Sequence, residues 1–169
     1  VEPDTFDEYV THGGVAGASA VALATDDGFE SPNPFSANTP IMAGGTGDFV
    51  DLGPSDHGST FDFDFGALAS GESFTFEIFY GAAHTEAGML AALAAVSAEV
   101  YSLGQPSSDK DGLGGVNADG FRVNTFAFGF AGVGGDPINV VPEPGTIALL
   151  GFGLAGLAGT CWRRRRKAG

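Results

Sequence analysis

The feature that most constrains what this chain can fold into is an uncharged, apolar run near its C-terminus. Residues 146–162 carry no charged side chain, and as a helix they would be about 25 Å long, at the short end of what spans a bilayer. Five basic residues follow the run directly, namely Arg163, Arg164, Arg165, Arg166 and Lys167. Such a cluster crosses hydrocarbon only at high cost. The pattern therefore predicts a transmembrane helix at 146–162, a cytoplasmic stop at 163–167 and an exported body before them.

A proline-rich joint stands just before this run. Pro142 and Pro144 cannot continue a regular helix or a central strand, so we expect Pro142-Glu143-Pro144 to be exposed and extended. This motif, the short apolar span and the arginine cluster together resemble the PEP-CTERM sorting signal of Gram-negative bacteria. An ordinary C-terminal anchor would not explain the motif, and a buried hairpin helix would not explain the basic cluster.

The resemblance implies a route out of the cell. It implies recognition by an exosortase, a membrane-embedded cysteine transpeptidase that would process the chain near Pro142-Glu143-Pro144. Residues 146–162 would hold the precursor in the inner membrane, and the processed body would reach the cell envelope or the exopolysaccharide matrix. In that scheme the chain is a substrate, the catalytic cysteine belongs to the exosortase, and exopolysaccharide is a candidate partner.

The charges of the chain are divided sharply between its two ends. Ahead of the proline motif there are 20 acidic residues and only two basic ones, Lys110 and Arg122, for a net charge of −18. Such a surface repels the phosphates of nucleic acids, which excludes nucleic-acid binding as a function. The single cysteine, Cys161, permits no intrachain disulfide. We therefore expect residues 1–139 to form one exported domain held by its core or by ions, and residues 140–169 to form the sorting signal.

Aromatic and apolar residues alternate with polar ones in several stretches, which predicts strands with one face on a core and one in water. The clearest stretches are 61–65, 74–80 and 121–130. The first two are predicted to pair as an antiparallel hairpin around a turn at 69–72. Shorter strands are predicted at 6–10, 15–25, 41–42 and 48–52. The stretch 15–25 is predicted to end in a turn at Asp26-Asp27-Gly28.

Eight phenylalanines are predicted to form an aromatic core. They are Phe61, Phe63, Phe65, Phe74, Phe76, Phe126, Phe128 and Phe130. With 28 glycines, roughly twice the usual share, the patterns predict a mainly β protein, an antiparallel β-sandwich.

One stretch has the periodicity of a helix. Its apolar stripe consists of Met89, Leu93, Val96 and Val100. Thr85 is predicted as the N-cap, the helix is predicted to run to Tyr101, and Gly104 is predicted as the C-terminal stop. The expected architecture is thus a β-sandwich with one inserted α-helix, followed by the C-terminal transmembrane helix.

Sequence motifs of catalysis are absent. His12, His57 and His84 are far apart, and no zinc-protease, dithiol or nucleophile-elbow pattern occurs. We therefore predict no catalytic residue and no enzymatic activity. Asp62 and Asp64 would share a strand face about 7 Å apart, which suits a glycosidase pair. A secreted carbohydrate-active enzyme is accordingly one alternative, although any solvated strand face gives the same spacing.

A calcium site is the one ion-binding hypothesis that the residues support. Asp109-Lys110-Asp111-Gly112 begins like an EF-hand loop, but Gly120 stands where the bidentate glutamate belongs. A looser oxygen cage would use Asp109, Asp111, Asn117 and Asp119. It would make the body a calcium-dependent adhesion or glycan-binding module, whereas an ordinary Asp/Gly turn would involve the same residues without an ion. No other cofactor is expected.

Overall fold

The computed structural model of the protein describes residues 7–29, 31, 33–36, 38–107 and 123–139. The chain divides into two compact units, Val1–Asn139 and Val140–Gly169, and every described residue lies in the first. Within the described part, no helix is long and apolar enough to cross a membrane. The transmembrane helix expected at 146–162 lies outside the described residues and stays a prediction.

The described chain is built from antiparallel strands and one α-helix. The elements are β1 (Glu8–Gly13), β2 (Val21–Thr25), β3 (Phe49–Ser55), β4 (Thr60–Phe63), β5 (Glu77–Thr85), α1 (Glu86–Ala95), β6 (Val100–Pro106) and β7 (Val123–Ala131). A turn of 3-10 helix at Val15–Gly17 follows β1. Five strands form one sheet in the order β3-β1-β6-β7-β5, and β2 pairs with β4 in a second. Every pairing is antiparallel, which confirms the predicted mainly β, antiparallel class.

One face of the large sheet is covered by α1. Ala127 of β7 and Leu103 of β6 pack there against Met89 and Leu93 of the helix, and all four side chains are buried. A Cβ atom at Gly129 would lie only 2.6 Å from Cδ2 of Leu93. The helix can therefore lie this close to β7 because residue 129 has no side chain.

The opposite face of the large sheet packs against the β2–β4 pair. The ring of Phe130 lies with its centroid 5.2 Å from that of Phe61 and 4.9 Å from that of Phe63. Val100 and Val133 are buried in the same cluster. Two layers thus enclose an aromatic core, as in a β-sandwich, with α1 on the outside of the larger layer.

The predicted hairpin between 61–65 and 74–80 is wrong. β4 pairs with β2, whereas β5 begins only at Glu77 and pairs with β7, so the two stretches belong to different sheets. They meet through their rings instead, since Phe65 stacks on Phe74 with centroids 4.2 Å apart. Alternation shows that a strand has an apolar face, but it does not specify the partner of that strand.

The prediction of an aromatic core is correct for only half of its eight phenylalanines. Phe130 is buried and Phe61, Phe63 and Phe65 are half-buried. The other four are exposed, namely Phe74, Phe76, Phe126 and Phe128. Phe126 and Phe128 share a sheet face with Phe130, but their exposure shows that the small sheet does not cover that part of the face.

The helix begins where the sequence predicts and ends earlier. The N–H of Gly88 donates to Oγ1 of Thr85 at 3.1 Å, which confirms the N-cap.

The helix ends at Ala95 because Ser97 adopts a left-handed conformation with φ 56°. The N–H of Ser97 then donates to the carbonyl of Ala94, and that of Ala98 to the carbonyl of Leu93, each at 3.0 Å. This is the Schellman arrangement. Glycine is the residue expected at the end of a helix of this kind, so Ser97 did not indicate in the sequence that the helix ends here. Val100, which was predicted to lie in the helix, belongs to β6.

Three of the shorter strand predictions also need correction. In the stretch 15–25 only Val21–Thr25 is a strand, after the 3-10 turn. Residues 41–42 form no strand, because their N–H groups donate to a side-chain carboxylate, that of Asp26. The strand predicted at 48–52 is longer, Phe49–Ser55.

Candidate functional site

The residues predicted to act in sorting and in calcium binding lie outside the described part of the chain. They are Pro142, Glu143 and Pro144; Arg163, Arg164, Arg165, Arg166 and Lys167; and Asp109, Asp111, Asn117 and Asp119. Their roles therefore stay predictions. Among the described residues, no group of three or more His, Cys, Asp or Glu side chains is placed to hold a metal ion.

The described residues do bring a buried ion pair together, between His57 and Asp26. Nδ1 of His57 lies 3.1 Å from Oδ2 of Asp26, and neither side chain is exposed. Nε2 of the same ring lies 3.2 Å from the carbonyl oxygen of Glu8. Both neighbours have oxygen atoms that accept hydrogen bonds, so the buried ring is held at both of its nitrogens.

Asp26 also organises the loops around it. Its two carboxylate oxygens accept the N–H groups of Ile41 at 2.9 Å and Met42 at 3.0 Å. Its own N–H donates to the carbonyl of Gly45 and its carbonyl accepts from the N–H of Gly58, each at 2.9 Å. A Cβ atom on Gly45 would collide with the carboxylate. The residue therefore joins the end of β2 to the loops that flank β3, a role that the predicted Asp-Asp-Gly turn did not indicate.

The second buried histidine, His12 of β1, lies between aromatic rings. Its ring stacks on Phe49 with centroids 4.2 Å apart and lies 4.7 Å from Phe61. Nε2 is hydrogen-bonded to Oγ of Ser59 at 2.8 Å, whereas Nδ1 has no hydrogen-bond partner among the described residues. Burial lowers the pKa of His12 to about 4, although the backbone of Gly47 partly opposes the shift.

Each of the two histidines has some of the contacts found in a catalytic triad, but neither has all of them. His12 has a serine but no carboxylate on its other nitrogen, and His57 has a carboxylate but no serine. A general base works best with a pKa near the working pH, and a pKa of about 4 makes His12 a weak base. Within the described chain, neither histidine contacts both a serine hydroxyl and a carboxylate, as the histidine of a catalytic triad does.

An open groove of about 430 Å³ is lined by loop residues next to the ends of β2, β4, β6 and β7. Its lining includes Asp64, Phe65, Phe74 and Glu99. The carboxylate of Glu99 accepts the N–H groups of Val133 at 2.7 Å and Gly135 at 3.1 Å. Burial alone would raise the pKa of Glu99, but these bonds and those from Gly132 and Gly134 together lower it. Glu99 is thus held ionised by the loop, which is the opposite of what a general acid needs.

The carboxylates of Asp62 and Asp64 do not share one strand face in this structure. Asp62 lies in β4 opposite Leu23, whereas Asp64 follows the end of the strand and is exposed. Oδ1 of Asp64 accepts the N–H of Gly66 at 2.8 Å, and of the two aspartates only Asp64 lines the groove. The predicted shared strand face is therefore lost where β4 ends.

Comparison with known proteins yields a match to a protein-family model. Residues 140–166 match a family model described as the PEP-CTERM protein-sorting motif. No curated protein and no solved structure matches the chain significantly. The resemblance that was read from Pro142-Glu143-Pro144, the apolar run and the basic cluster is confirmed by this match.

Proposed function

We propose that this chain, which carries the PEP-CTERM protein-sorting motif at residues 140–166, is a non-catalytic protein of the cell envelope or exopolysaccharide matrix. The motif indicates an exported, sorted protein that transits the membrane and is recognised by an exosortase. The apolar run 146–162 holds the precursor in the inner membrane, the exosortase processes the chain near Pro142-Glu143-Pro144, and the folded body is then delivered outside.

The single observation that carries the proposal is the matched motif. It contains three unlike parts in a fixed order, which are the Pro-Glu-Pro joint, the uncharged span and the basic cluster. A cluster of four arginines and a lysine stays on the cytoplasmic side. The peptide that precedes the span is therefore presented on the opposite side of the membrane.

The chemistry of the described body supports a role without catalysis. Its buried carboxylate, Asp26, already accepts hydrogen bonds from two N–H groups and an imidazole. Glu99 is held ionised by loop N–H groups, and His12 is a weak base. Each of these groups already makes hydrogen bonds within the body.

The surface charge supports release of the body from the membrane surface. The described residues include 14 Asp and Glu side chains and no Lys or Arg. Such a surface stays hydrated and repels anionic membranes. A body of this kind remains apart from the lipid surface once it is released from its anchor.

Fractionation of the native host with and without its exosortase tests the proposal. In the wild-type host we expect the chain in the envelope or matrix fraction, and without the exosortase we expect it in the inner membrane. Replacement of the motif through Pro142→Ala, Glu143→Ala and Pro144→Ala should reproduce the second result, whereas Asn139→Ala, just outside the motif, should not. An unchanged distribution in the motif variant would contradict the proposal.

A further inference from the structure

Within the described residues, one edge of the large sheet, at β5, is open. β5 is the last strand in the sheet order and spans nine residues, Glu77–Thr85, or about 30 Å. It pairs with β7 in an unbroken register on one side. On its other side, no described residue forms a backbone hydrogen bond with it. A strand with a free row of N–H and C=O groups is a template for another strand.

The opposite edge of the sheet, at β3, is protected. β3 contains Pro54, which has no N–H group, and Asp51, which has a positive φ of 48°. Its register against β1 shifts at two points. Prolines, charges and irregular register are the usual means by which proteins prevent edge pairing. β5 contains no proline, no Lys or Arg and no register shift, so the two edges differ in a way that favours pairing at only one of them.

An exposed apolar surface adjoins the open edge. Tyr80 is 84% exposed, and Ile78, Phe126 and Phe128 are each more than half exposed. Tyr80 lies opposite Phe128 in the strand register, and their ring centroids are 6.4 Å apart. Contiguous apolar side chains on the outside of a soluble domain mark an interaction surface.

The distribution of charged residues along β5 and β7 indicates which kind of partner can pair with the open edge. Of the 14 acidic side chains in the described residues, only Glu77 lies on β5 or β7. A basic partner would find only Glu77, at the first position of β5, to pair with on these two strands. Two copies of the chain repel each other over most of their surfaces, but each presents the same long strand, β5, with a single acidic residue at its first position. A second copy can therefore approach along β5 with little electrostatic cost.

We propose that two copies of this chain pair through β5, antiparallel about a two-fold axis, to form one continuous sheet. The register that uses all nine residues is centred on Gly81. It places Tyr80 of one copy opposite Ala82 of the other, so a large side chain meets a small one on the apolar face. It also places Glu77 opposite Thr85, and the two Glu77 side chains lie about 27 Å apart, beyond the Debye length at physiological salt.

Such an interface is symmetric and small. The same surface is used by both copies, which closes the dimer and leaves no further β5 edge open. Pairing of one strand with its immediate side chains buries less than a standard interface, so we expect a dissociation constant on the order of micromolar. The proposal does not depend on the sorting signal or on the function proposed above.

Sedimentation of the full chain in mild detergent over a range of concentrations tests the pairing. We expect a monomer–dimer equilibrium, and we expect Tyr80→Lys to raise the dimer dissociation constant about tenfold or more. Val50→Lys is the matched control, because Val50 is 76% exposed and lies on the protected edge strand β3. Both variants carry the same apolar run, so association through the tail would affect them equally. Loss of dimer in neither variant or in both would overturn the proposal.

A cross-link locates the two-fold axis. In a Cys161→Ser background, Gly81→Cys should form a disulfide-linked dimer on mild oxidation, since directly opposed Cα atoms lie about 4.5–5.5 Å apart. A Cβ atom at Gly81 meets only Cε of Met89 within 4 Å, at an ordinary 3.7 Å, so the fold should tolerate the change. Val50→Cys in the same background should stay unlinked. A wild-type chain that is monomeric through the high micromolar range, or a Gly81→Cys chain that does not cross-link, would overturn self-pairing and leave the edge for a strand of a different protein.

Discussion

Nδ1 of His57 lies 3.1 Å from Oδ2 of Asp26, and both side chains are completely buried. These residues are 31 positions apart in the chain, and the pair ties the end of β2 to the loop between β3 and β4. A buried ion pair adds little over a well-packed apolar pair, but removal of one partner leaves the other charge without compensation.

Asp26→Asn should therefore destabilise the body strongly. We expect a loss of about 3–5 kcal/mol in the free energy of unfolding, because an amide cannot replace the carboxylate as the buried acceptor for two backbone N–H groups and the His57 ring. Urea unfolding followed by circular dichroism measures this loss. The matched control is Asp136→Asn, which changes an exposed aspartate in the same way and should cost less than about 0.5 kcal/mol. Equal effects of the two substitutions would show that the ion pair does not stabilise the fold.

The buried ring of His12 should make stability depend on pH. Its pKa falls from 6.5 to about 4 on folding, so the unfolded chain binds more protons between these values. Above pH 6.5 the free energy of unfolding is not reduced by protonation of His12. As the pH falls from 6.5 through 4, the free energy of unfolding decreases by about 3 kcal/mol for the full shift.

Two substitutions test whether this pH dependence comes from burial of the His12 ring or from its hydrogen bond to Ser59. His12→Phe should flatten the slope of unfolding free energy between pH 6.5 and 4, since it removes the titrating ring. Ser59→Ala removes the hydrogen bond of that ring but leaves it buried, so the slope should persist. If His12→Phe has the same slope as the wild type, burial of His12 is not its source.

Phe130 and Phe128 provide a matched test of the aromatic core. They lie two residues apart on one face of β7, but Phe130 is 8% exposed and Phe128 is 55% exposed. Phe130→Ala should cost about 3–5 kcal/mol in the free energy of unfolding, because it opens a cavity against Phe61 and Phe63. Phe128→Ala, compared with the wild type at a concentration where both are monomeric, should cost less than about 1 kcal/mol. Similar costs would mean that the faces of the sheet are assigned wrongly.

Calcium should stabilise the body no more than other salts do. At a net charge of −18 before the proline motif, repulsion within the body is screened by any added ion, with a Debye length of about 10 Å at 0.1 M. We expect equal rises in melting temperature with CaCl₂, MgCl₂ and NaCl at matched ionic strength. A rise specific to calcium that disappears in the double variant Asp109→Ala, Asp111→Ala would instead establish a site, with a gain of about 2.7 kcal/mol at one hundred times Kd.

Local features of the fold could be predicted from the sequence. Thr85 caps α1, and Met89 and Leu93 are buried, because a cap and an apolar stripe depend on residues a few positions apart. The apolar faces of the strands followed from alternation in the same way. The class of the fold was therefore predictable from patterns within single elements.

Long-range pairing and the buried site could not be predicted in this way. Strands β4 and β5 are neighbours in sequence but pair with β2 and β7, and alternation contains no information about partners. Asp26 stands in an Asp-Asp-Gly stretch that is typical of an exposed turn, and only the tertiary structure brings His57, Ile41 and Met42 to its carboxylate. The end of α1 was missed because Ser97 occupies a left-handed position where glycine is usual.

The most direct test of the proposed sorting is the intact mass of the mature protein, purified from the envelope or matrix of its own host. We expect a chain that has been cut near Pro142-Glu143-Pro144 and has lost the apolar run and the basic cluster. A matrix-located chain whose mass still includes Arg163–Gly169 would contradict it.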